Sequence, residues 1–499
     1  MLTAILTHLG ISSMEETPQS TSDRYQDNSS TTTMETDSLL LKLPSELIHH
    51  VLTFLPQPDL AQVSLTCRLL CEHADDDRLW HSFLEETIQG LKLPLPSPGP
   101  SYRQQYLLHH PYWFLPKYKI WYSDTPHTGR LLIARYSAKR QTIEAYALAA
   151  ERVNSGLEFW DWNPDVIIHR FDPKIRLDLN QAVIKIDADA VANLPLRKRF
   201  SEEVVLNTHS GIPMGGINSR LSLTRPLPEQ AISSGTQVWP PQKLPATSRV
   251  RNASLDGFRG TGHTPTRMSE LSEHTFRLRR WMDFPARLQG FRGMTMRMGE
   301  DVSTFATLPP EAYTPTQAKP WRGIWCGDYS GHGCEFLVIL QPDEDIDLPE
   351  GAKRACNRRR HSSVDSTDGV AEADFDYEHL FEDTPELNLL AEMPLSVDAE
   401  FVTSTSRADE AVASSSDEVH EGQLLAVKLT GDPNIPRGEY TFLAPDISDA
   451  ALLRAASEDL FKGARIVRSA GHIAARDFRD GMYLFSRDFV HCSSGVYLC

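Results

Sequence analysis

The sequence predicts an α+β multidomain chain: a small all-α module of three short helices, followed by an antiparallel β-barrel with long disordered insertions. Three observations carry this expectation. Between residues 39 and 86, apolar side chains recur every three or four positions, the spacing of one helix face. Beyond about residue 105, short alternating runs separated by turn residues replace that pattern. Nearly all of the net charge of −17 falls in one stretch.

The chain opens on a Ser/Thr-rich stretch, residues 1–38, read as a disordered tail. Its first residues, Met1 to Ile11, are apolar but lack a basic start and have about half the length a bilayer crossing needs, so no membrane anchor is expected. Pro44 can begin a helix without losing an intrahelical hydrogen bond, and Glu46 falls in the first turn, where a carboxylate meets the positive end of the helix dipole. Leu47, Ile48, Val51, Leu52 and Leu55 form one apolar stripe. Pro56 and Pro58 break that helix, Leu60, Val63, Cys67 and Leu70 mark a second, and Trp80, Phe83 and Leu84 a third. Three short helices over so few residues bury little core unaided, so part of the apolar surface is expected to meet a partner.

Residues 87–104, with Pro94-Leu95-Pro96-Ser97-Pro98, read as a linker by composition. In 105–341, strands are expected at Tyr118 to Trp121, Leu131 to Tyr136, Thr142 to Tyr146, Val166 to Phe171 and Ala182 to Ile186. A loop excursion covers about 210–266, rich in Ser, Pro, Gly and Arg. Arg277, Arg279, Arg280, Arg287, Arg292 and Arg297 follow, mixed with Phe276, Trp281, Phe284 and Phe291, but no recognisable RNA-binding motif accompanies them and no nucleic-acid partner is expected. Strands resume at residues 321–340, where glycines permit a hairpin-like connection. Segment 342–421 holds 22 acidic and 6 basic residues, net −16, leaving the rest at −1. With its Ser/Asp runs it reads as a disordered insertion. Its basic patch, Lys353-Arg354 and Arg358-Arg359-Arg360, stands open between a solvated charge run and a nuclear-import signal. The final segment, 422–499, supplies the remaining strands: Leu424 to Leu429, Ala464 to Val467, Gly471 to Arg476, Met482 to Phe485 and Val496 to Leu498.

Residues 39–86 resemble an F-box in the pattern Leu-Pro-x-Glu-Leu-Ile, Pro-x-Leu, Val-Ser-x-x-Cys-Arg and terminal Leu-Trp. The resemblance implies a substrate receptor that binds a Skp-type adaptor, and through it a cullin-based ubiquitin ligase. The adaptor-contacting residues it implies are Leu43, Pro44, Leu47, Ile48, Val51, Leu52, Leu55, Leu60, Val63, Arg68 and Trp80. Further on, Gly-Ile-Trp-x-Gly-x-Tyr-x-x-His-Gly-x-Glu, Thr-Gly-Asp-Pro-Asn-Ile-Pro-x-Gly and Gly-His-Ile-Ala resemble the carboxy-terminal domain of the F-box only protein 31 family. That resemblance implies one β-barrel receiving a protein substrate, cyclin D among them, by its carboxy-terminal tail. The acidic segment falls between two of these motifs and so reads as an insertion in the barrel. Gly323-x-Trp325 also resembles the lipocalin-like signature, which implies the alternative of a small-ligand-binding barrel coupled to an F-box.

Asp432 and Asn434 stand in a rigid turn where a carboxylate and an amide can read a peptide end; the other reading of Asp432 is an Asx cap of that turn. Trp325, Tyr329 and His332 supply an apolar wall and a donor, or Trp325 is core. His332 and Glu335 read as a pocket edge or as supports of the glycine turn, and their spacing fits no metal site. Arg476 either pairs with a chain-end carboxylate or is a solubilising arginine. No nucleophile elbow, phosphate loop or catalytic Cys/His set occurs, so a non-catalytic adaptor without cofactor or metal is expected. Seven scattered cysteines point to reduced thiols in cytoplasm or nucleus. Nothing points to homo-oligomers.

Overall fold

The computed structural model describes residues 38–88, 92–95, 97, 99–123, 129–160, 163–206, 216–226, 244, 264–285, 295–328, 334–357, 420–430, 434–457, 463–475, 479–492 and 495–498. The amino-terminal tail, most of the 227–263 stretch and the Ser/Asp runs of the acidic insertion lie outside the described residues. Two compact units emerge, one ending at Asp75 and the other beginning at Asp76.

In the first unit, a 3-10 turn at Leu39–Lys42 leads into α1 (Ser45–Leu52), α2 (Gln57–Val63) and α3 (Arg68–Ala74). Pro44 caps α1, its carbonyl accepting the amides of Leu47 and Ile48, and Glu46 sits in the first turn as the dipole favours. Pro56 caps α2 in the same way, with Pro58 just inside. Ile48 and Leu52 of α1, Leu60 of α2, and Leu70 and Ala74 of α3 are buried. An edge-on contact between the rings of His49 and His73, centroids 5.1 Å apart, ties α1 to α3.

The second unit opens with α4 (Asp77–Thr87), whose Asp76 cap accepts the Arg78 amide at 2.8 Å. Among residues 87–104, expected to be a linker, several of the described ones are tied to α4. His81 Nε2 lies 3.1 Å from the Leu93 carbonyl, the Leu93 amide donates to Glu85, and Tyr102 donates through its backbone amide to Asp77 and through its hydroxyl to the Pro94 carbonyl. Ser101 and Gln104 form a reciprocal capping box that starts α5 (Tyr102–His109). Trp80 of α4 packs on Tyr106 of α5 at 5.2 Å. Buried Leu93 and Tyr102 hold the described part of this segment against α4.

After α6 (Phe114–Tyr118) come two antiparallel eight-stranded sheets in place of the single barrel expected. The first comprises β1 (Ile120–Ser123), β2 (Leu131–Ser137), β3 (Thr142–Trp160), β4 (Asn163–Ile186), β5 (Val204–Leu206), β6 (Gly216–Leu223), β7 (Thr275–Pro285) and β8 (Thr295–Thr307), in the order β4-β3-β2-β1-β8-β7-β6-β5. The short helix α7 (Ala188–Val191) joins β4 to β5. The second comprises β9 (Gly323–Asp328), β10 (Cys334–Leu340), β11 (Leu424–Lys428), β12 (Tyr440–Ala444), β14 (Arg465–Ala475), β15 (Arg479–Cys492) and β16 (Gly495–Leu498), with β13 (Leu452–Ala455) pairing beside β14. The helix α8 (Pro310–Tyr313) connects the sheets. Both sheets curl as half-barrels, and among the described residues no ladder joins their outermost strands into a closed ring.

Two departures from the compositional reading have clear causes. β6 lies within the expected loop excursion, because Ser219, Leu221 and Leu223 alternate inward and pair with β7. Residues 342–357 are ordered despite their acidity: α9 (Glu350–Asn357) buries Ala352, Ala355 and Cys356, while Lys353 pairs with Asp347 and Glu350 at 2.7 and 2.8 Å. Lys353 is thus engaged locally, and Arg358 to Arg360 lie outside the described residues. β10 and β11, which flank the acidic segment, pair directly from Leu337 opposite Lys428 to Leu340 opposite Leu425.

The faces of β10 and β11 sort by parity. Phe336, Val338, Leu340, Leu425, Val427 and Leu429 join Ile120, Tyr122 and Leu131 of the first sheet in the main core. Leu337, Ile339, Leu424 and Ala426 point to the other face and form a smaller cluster with Phe442, Ala444, Ile447 and Val467, on which Trp321 and Trp325 pack.

Candidate functional site

Two regions of the structure can hold a partner. The first is the surface of the helical unit. A stripe with one orientation in sequence divides in three dimensions. Ile48, Leu52 and Leu60 are buried and hold the helices together, while Leu55 and Val63 are half-buried. Leu43, Pro44, Leu47, Val51 and Arg68 face solvent, and the exposed apolar set extends to Phe54, Leu65 and Leu69, which the spacing did not single out. Leu47 is 50% exposed, Phe54 72% and Leu65 79%, whereas Leu52 is 3% exposed. So many large apolar side chains exposed in one short unit make it a candidate interaction surface. Trp80 is buried against Phe83 and Tyr106 in the second unit and contributes no surface.

The second region is the end of the second sheet where β9, β10 and β11 meet. Trp325, on β9, sits opposite Leu337 of β10 and packs on the smaller apolar cluster. Its indole Nε1 lies 3.3 Å from where a Cβ on Gly323 would stand, so the ring covers the backbone there and a side chain at 323 would crowd it. Glu335, two positions before Leu337, shares that face. Its carboxylate lies 3.2 Å from the Lys428 ammonium, and both side chains are buried. A buried ion pair repays its desolvation only when geometry and further hydrogen bonds are good, so it fixes the end of β10 and β11 more than it stabilises the fold.

The loop leaving β11 is pinned on its other flank. Thr430 Oγ1 accepts the Phe336 amide at 2.9 Å, and the Gly438 amide returns to the Lys428 carbonyl at 2.8 Å. Arg437 is fully buried beside Gly129, whose φ of +68° and whose Cβ position, 3.2 Å from Arg437 Nε and 3.3 Å from the Leu429 carbonyl, both demand glycine. Nearby, His472 Nδ1 lies 2.9 Å from the Tyr440 carbonyl and its ring stacks on Tyr483 at 4.7 Å. Burial pushes the Tyr440 hydroxyl up to about 12, keeping it neutral.

Of the residues expected to read a substrate, Trp325, Glu335 and Asn434 are described, and Asn434 is half-buried. Tyr329, His332, Asp432 and Arg476 lie outside the described residues. Lys428 and Arg437 went unnoticed in the sequence. Lys428 carried a signal, a lone charge inside the apolar run Leu424 to Leu429, where a buried strand tolerates one only if it is paired.

Comparison with known families falls on these two regions. An F-box-like domain matches residues 40–86, spanning α1 to α4. A Cyclin D1 binding domain matches residues 305–490, from the end of β8 into β15. No curated protein matches the chain. The chain thus carries an F-box-like domain, which fits a substrate-recognition subunit of an SCF-type ubiquitin ligase, and F-box proteins are generally non-catalytic substrate adaptors.

Proposed function

We propose that this chain is the substrate receptor of a cullin-based ubiquitin ligase, similar to the F-box only protein 31 family, docking a Skp-type adaptor through its helical unit and a protein tail through its second sheet. The observation that carries this is the coincidence of the F-box-like match with a helical surface bearing Leu43, Leu47, Val51, Phe54, Leu65 and Leu69 in solvent. The match to a Cyclin D1 binding domain supports a cyclin D-type protein as substrate, and the resemblance to the F-box only protein 31 family implies its carboxy-terminal tail as the part held. Asp432 and Asn434 read the tail's end; Trp325, Tyr329 and His332 line its path, Glu335 with Lys428 anchors the strands beneath, and Arg476 meets its carboxylate. Catalysis is by proximity, since holding a substrate lysine near a recruited conjugating enzyme raises its effective concentration. The receptor works in cytoplasm or nucleus, where such ligases meet cell-cycle proteins.

The test is a pull-down with the full chain and purified Skp-type adaptor and cullin, comparing wild type with Leu47→Asp. Retention of both partners by wild type and their loss in the variant is the expected result. Equal retention, or none by either form, defeats the receptor reading.

A further inference from the structure

The first sheet borders a partly open cavity of about 240 Å³, lined by Arg130, Ala147, Asp178, Gln181, Ser219 and Arg280 among others. It lies outside the matched domains and plays no part in the receptor reading. Residues of β3 and β4 face residues of β6 and β7 across it, although these strands stand on opposite sides of β1 in the sheet order, so the curl of the sheet creates the space.

Its chemistry departs from what a sheet interior requires. The cross-strand pairs of β6 and β7 run Leu223 with Phe276, then Leu221 with Leu278, then Ser219 with Arg280. The first two pairs are buried and apolar, and the third continues the same face with a hydroxyl and a guanidinium. Ser219 is 3% exposed, and its Oγ has no hydrogen-bond partner among the described residues. An unsatisfied buried hydroxyl costs about 1–3 kcal/mol, so this Oγ is a donor available to a water or a ligand in the cavity. Burial holds the Arg280 pKa below the usual arginine value, and the nearby charge of Arg130 lowers it further, against a smaller opposing effect from Asp301.

Across the cavity, β4 is built to reach in. Between the pairs Tyr146 with Ala182 and Leu148 with Leu177, residues Asp178 to Gln181 stand opposite the single residue Ala147. A bulge of this kind re-aims side chains, and here it delivers Asp178 and Gln181 to the wall while small Ala147 leaves the room.

We propose that this cavity is a binding site for a phosphate-class oxyanion, free or as a phosphoester, clamped by the guanidinium groups of Arg130 and Arg280 with Ser219 Oγ–H as a further donor. Two guanidinium groups on one oxyanion supply charge-assisted, fork-shaped hydrogen bonds and relieve their own repulsion. Asp178 at the wall lowers the net charge to that of one arginine and accepts from a protonated oxygen or a hydroxyl of the attached group. The cavity is roomier than a bare oxyanion needs, leaving space for such a group.

The full chain is titrated with inorganic phosphate, O-phospho-L-threonine and acetate at constant ionic strength, with calorimetry as readout. Saturable phosphate or phosphothreonine binding, weakened at least tenfold in Arg280→Met and in Arg130→Gln, is the expected result. Tighter phosphothreonine identifies an esterified ligand, and tighter inorganic phosphate a free one. Arg130 is exposed, so Arg130→Gln keeps the fold and decides the matter should Arg280→Met fail to fold. Absence of saturable binding, acetate binding as tight as phosphate, or affinity unchanged in Arg130→Gln overturns the site.

Discussion

Replacing Leu47 by Asp separates docking from folding in a way that the neighbouring Leu52 cannot. Leu47 is 50% exposed, so in the free chain the substitution gives up only the half of the side chain already buried and stability should fall by about 1 kcal/mol. On docking, the half of the side chain still in water would be buried, worth about 1 kcal/mol when full burial of a leucine contributes about 1.5–3. Placing a polar group there without a partner costs about 1–3 kcal/mol more, and an ionised carboxylate stands at or above the top of that range. The sum, about 3–4 kcal/mol, weakens the adaptor complex by roughly 100- to 1,000-fold. Calorimetric titration of purified adaptor into wild type and Leu47→Asp measures this, with thermal melts of both chains alongside. Leu52→Asp should instead lower the melting temperature outright, because Leu52 is 3% exposed. Unchanged affinity in a well-folded Leu47→Asp chain would refute the docking face.

Three further outcomes follow from buried groups in the second unit. Burial lowers His109 from 6.5 to about 4, and its ring, 3.0 Å from the Gln141 carbonyl, stays neutral in the fold. Since the folded chain binds this proton less readily than the unfolded one, the stability contributed is present above pH 6.5 and is lost as pH falls toward 4, by about 3 kcal/mol at 1.36 kcal/mol per unit; denaturant melts between pH 7 and 4 should show the loss, reduced in His109→Phe. Glu335→Gln removes the buried carboxylate that faces the Lys428 ammonium and should cost about 3–5 kcal/mol, while the double variant Glu335→Met, Lys428→Met should recover most of it in chemical denaturation. Gly129→Ala forces a Cβ against Arg437 at a positive φ and should cost more than about 1 kcal/mol by the same measurement.

The strands that the sequence made legible are those whose own residues alternate or stay apolar throughout. Leu131 to Tyr136 and the stretches that form β10 and β11 are of this kind, and they form strands close to where they were expected. β7 was hidden because arginines occupy both its faces. Arg277 is buried, and Arg279 reaches Glu203, so the run resembled a basic patch until its partner strands were known. Composition misled at the described residues of 87–104 and at 342–357, where a few well-spaced apolar residues, Leu93 and Tyr102 or Ala352, Ala355 and Cys356, find a core to enter. At the helical surface, periodicity located the stripe but not its division, because which edge a neighbouring helix covers is a property of packing. The end of β11 was only half visible: Glu335 was singled out, but its partner Lys428 lies 93 positions away in sequence and is brought to it only by the pairing of β10 with β11.

Ubiquitin transfer in a reconstituted system tests the receptor reading most directly. The chain, Skp-type adaptor, cullin with its RING subunit, and activating and conjugating enzymes are combined with a reporter carrying a cyclin D carboxy-terminal tail. Ubiquitin should be attached to that reporter with wild type, and not with Leu47→Asp or with a reporter lacking the tail. Equal modification with and without the tail, or none although the adaptor complex has formed, would contradict it.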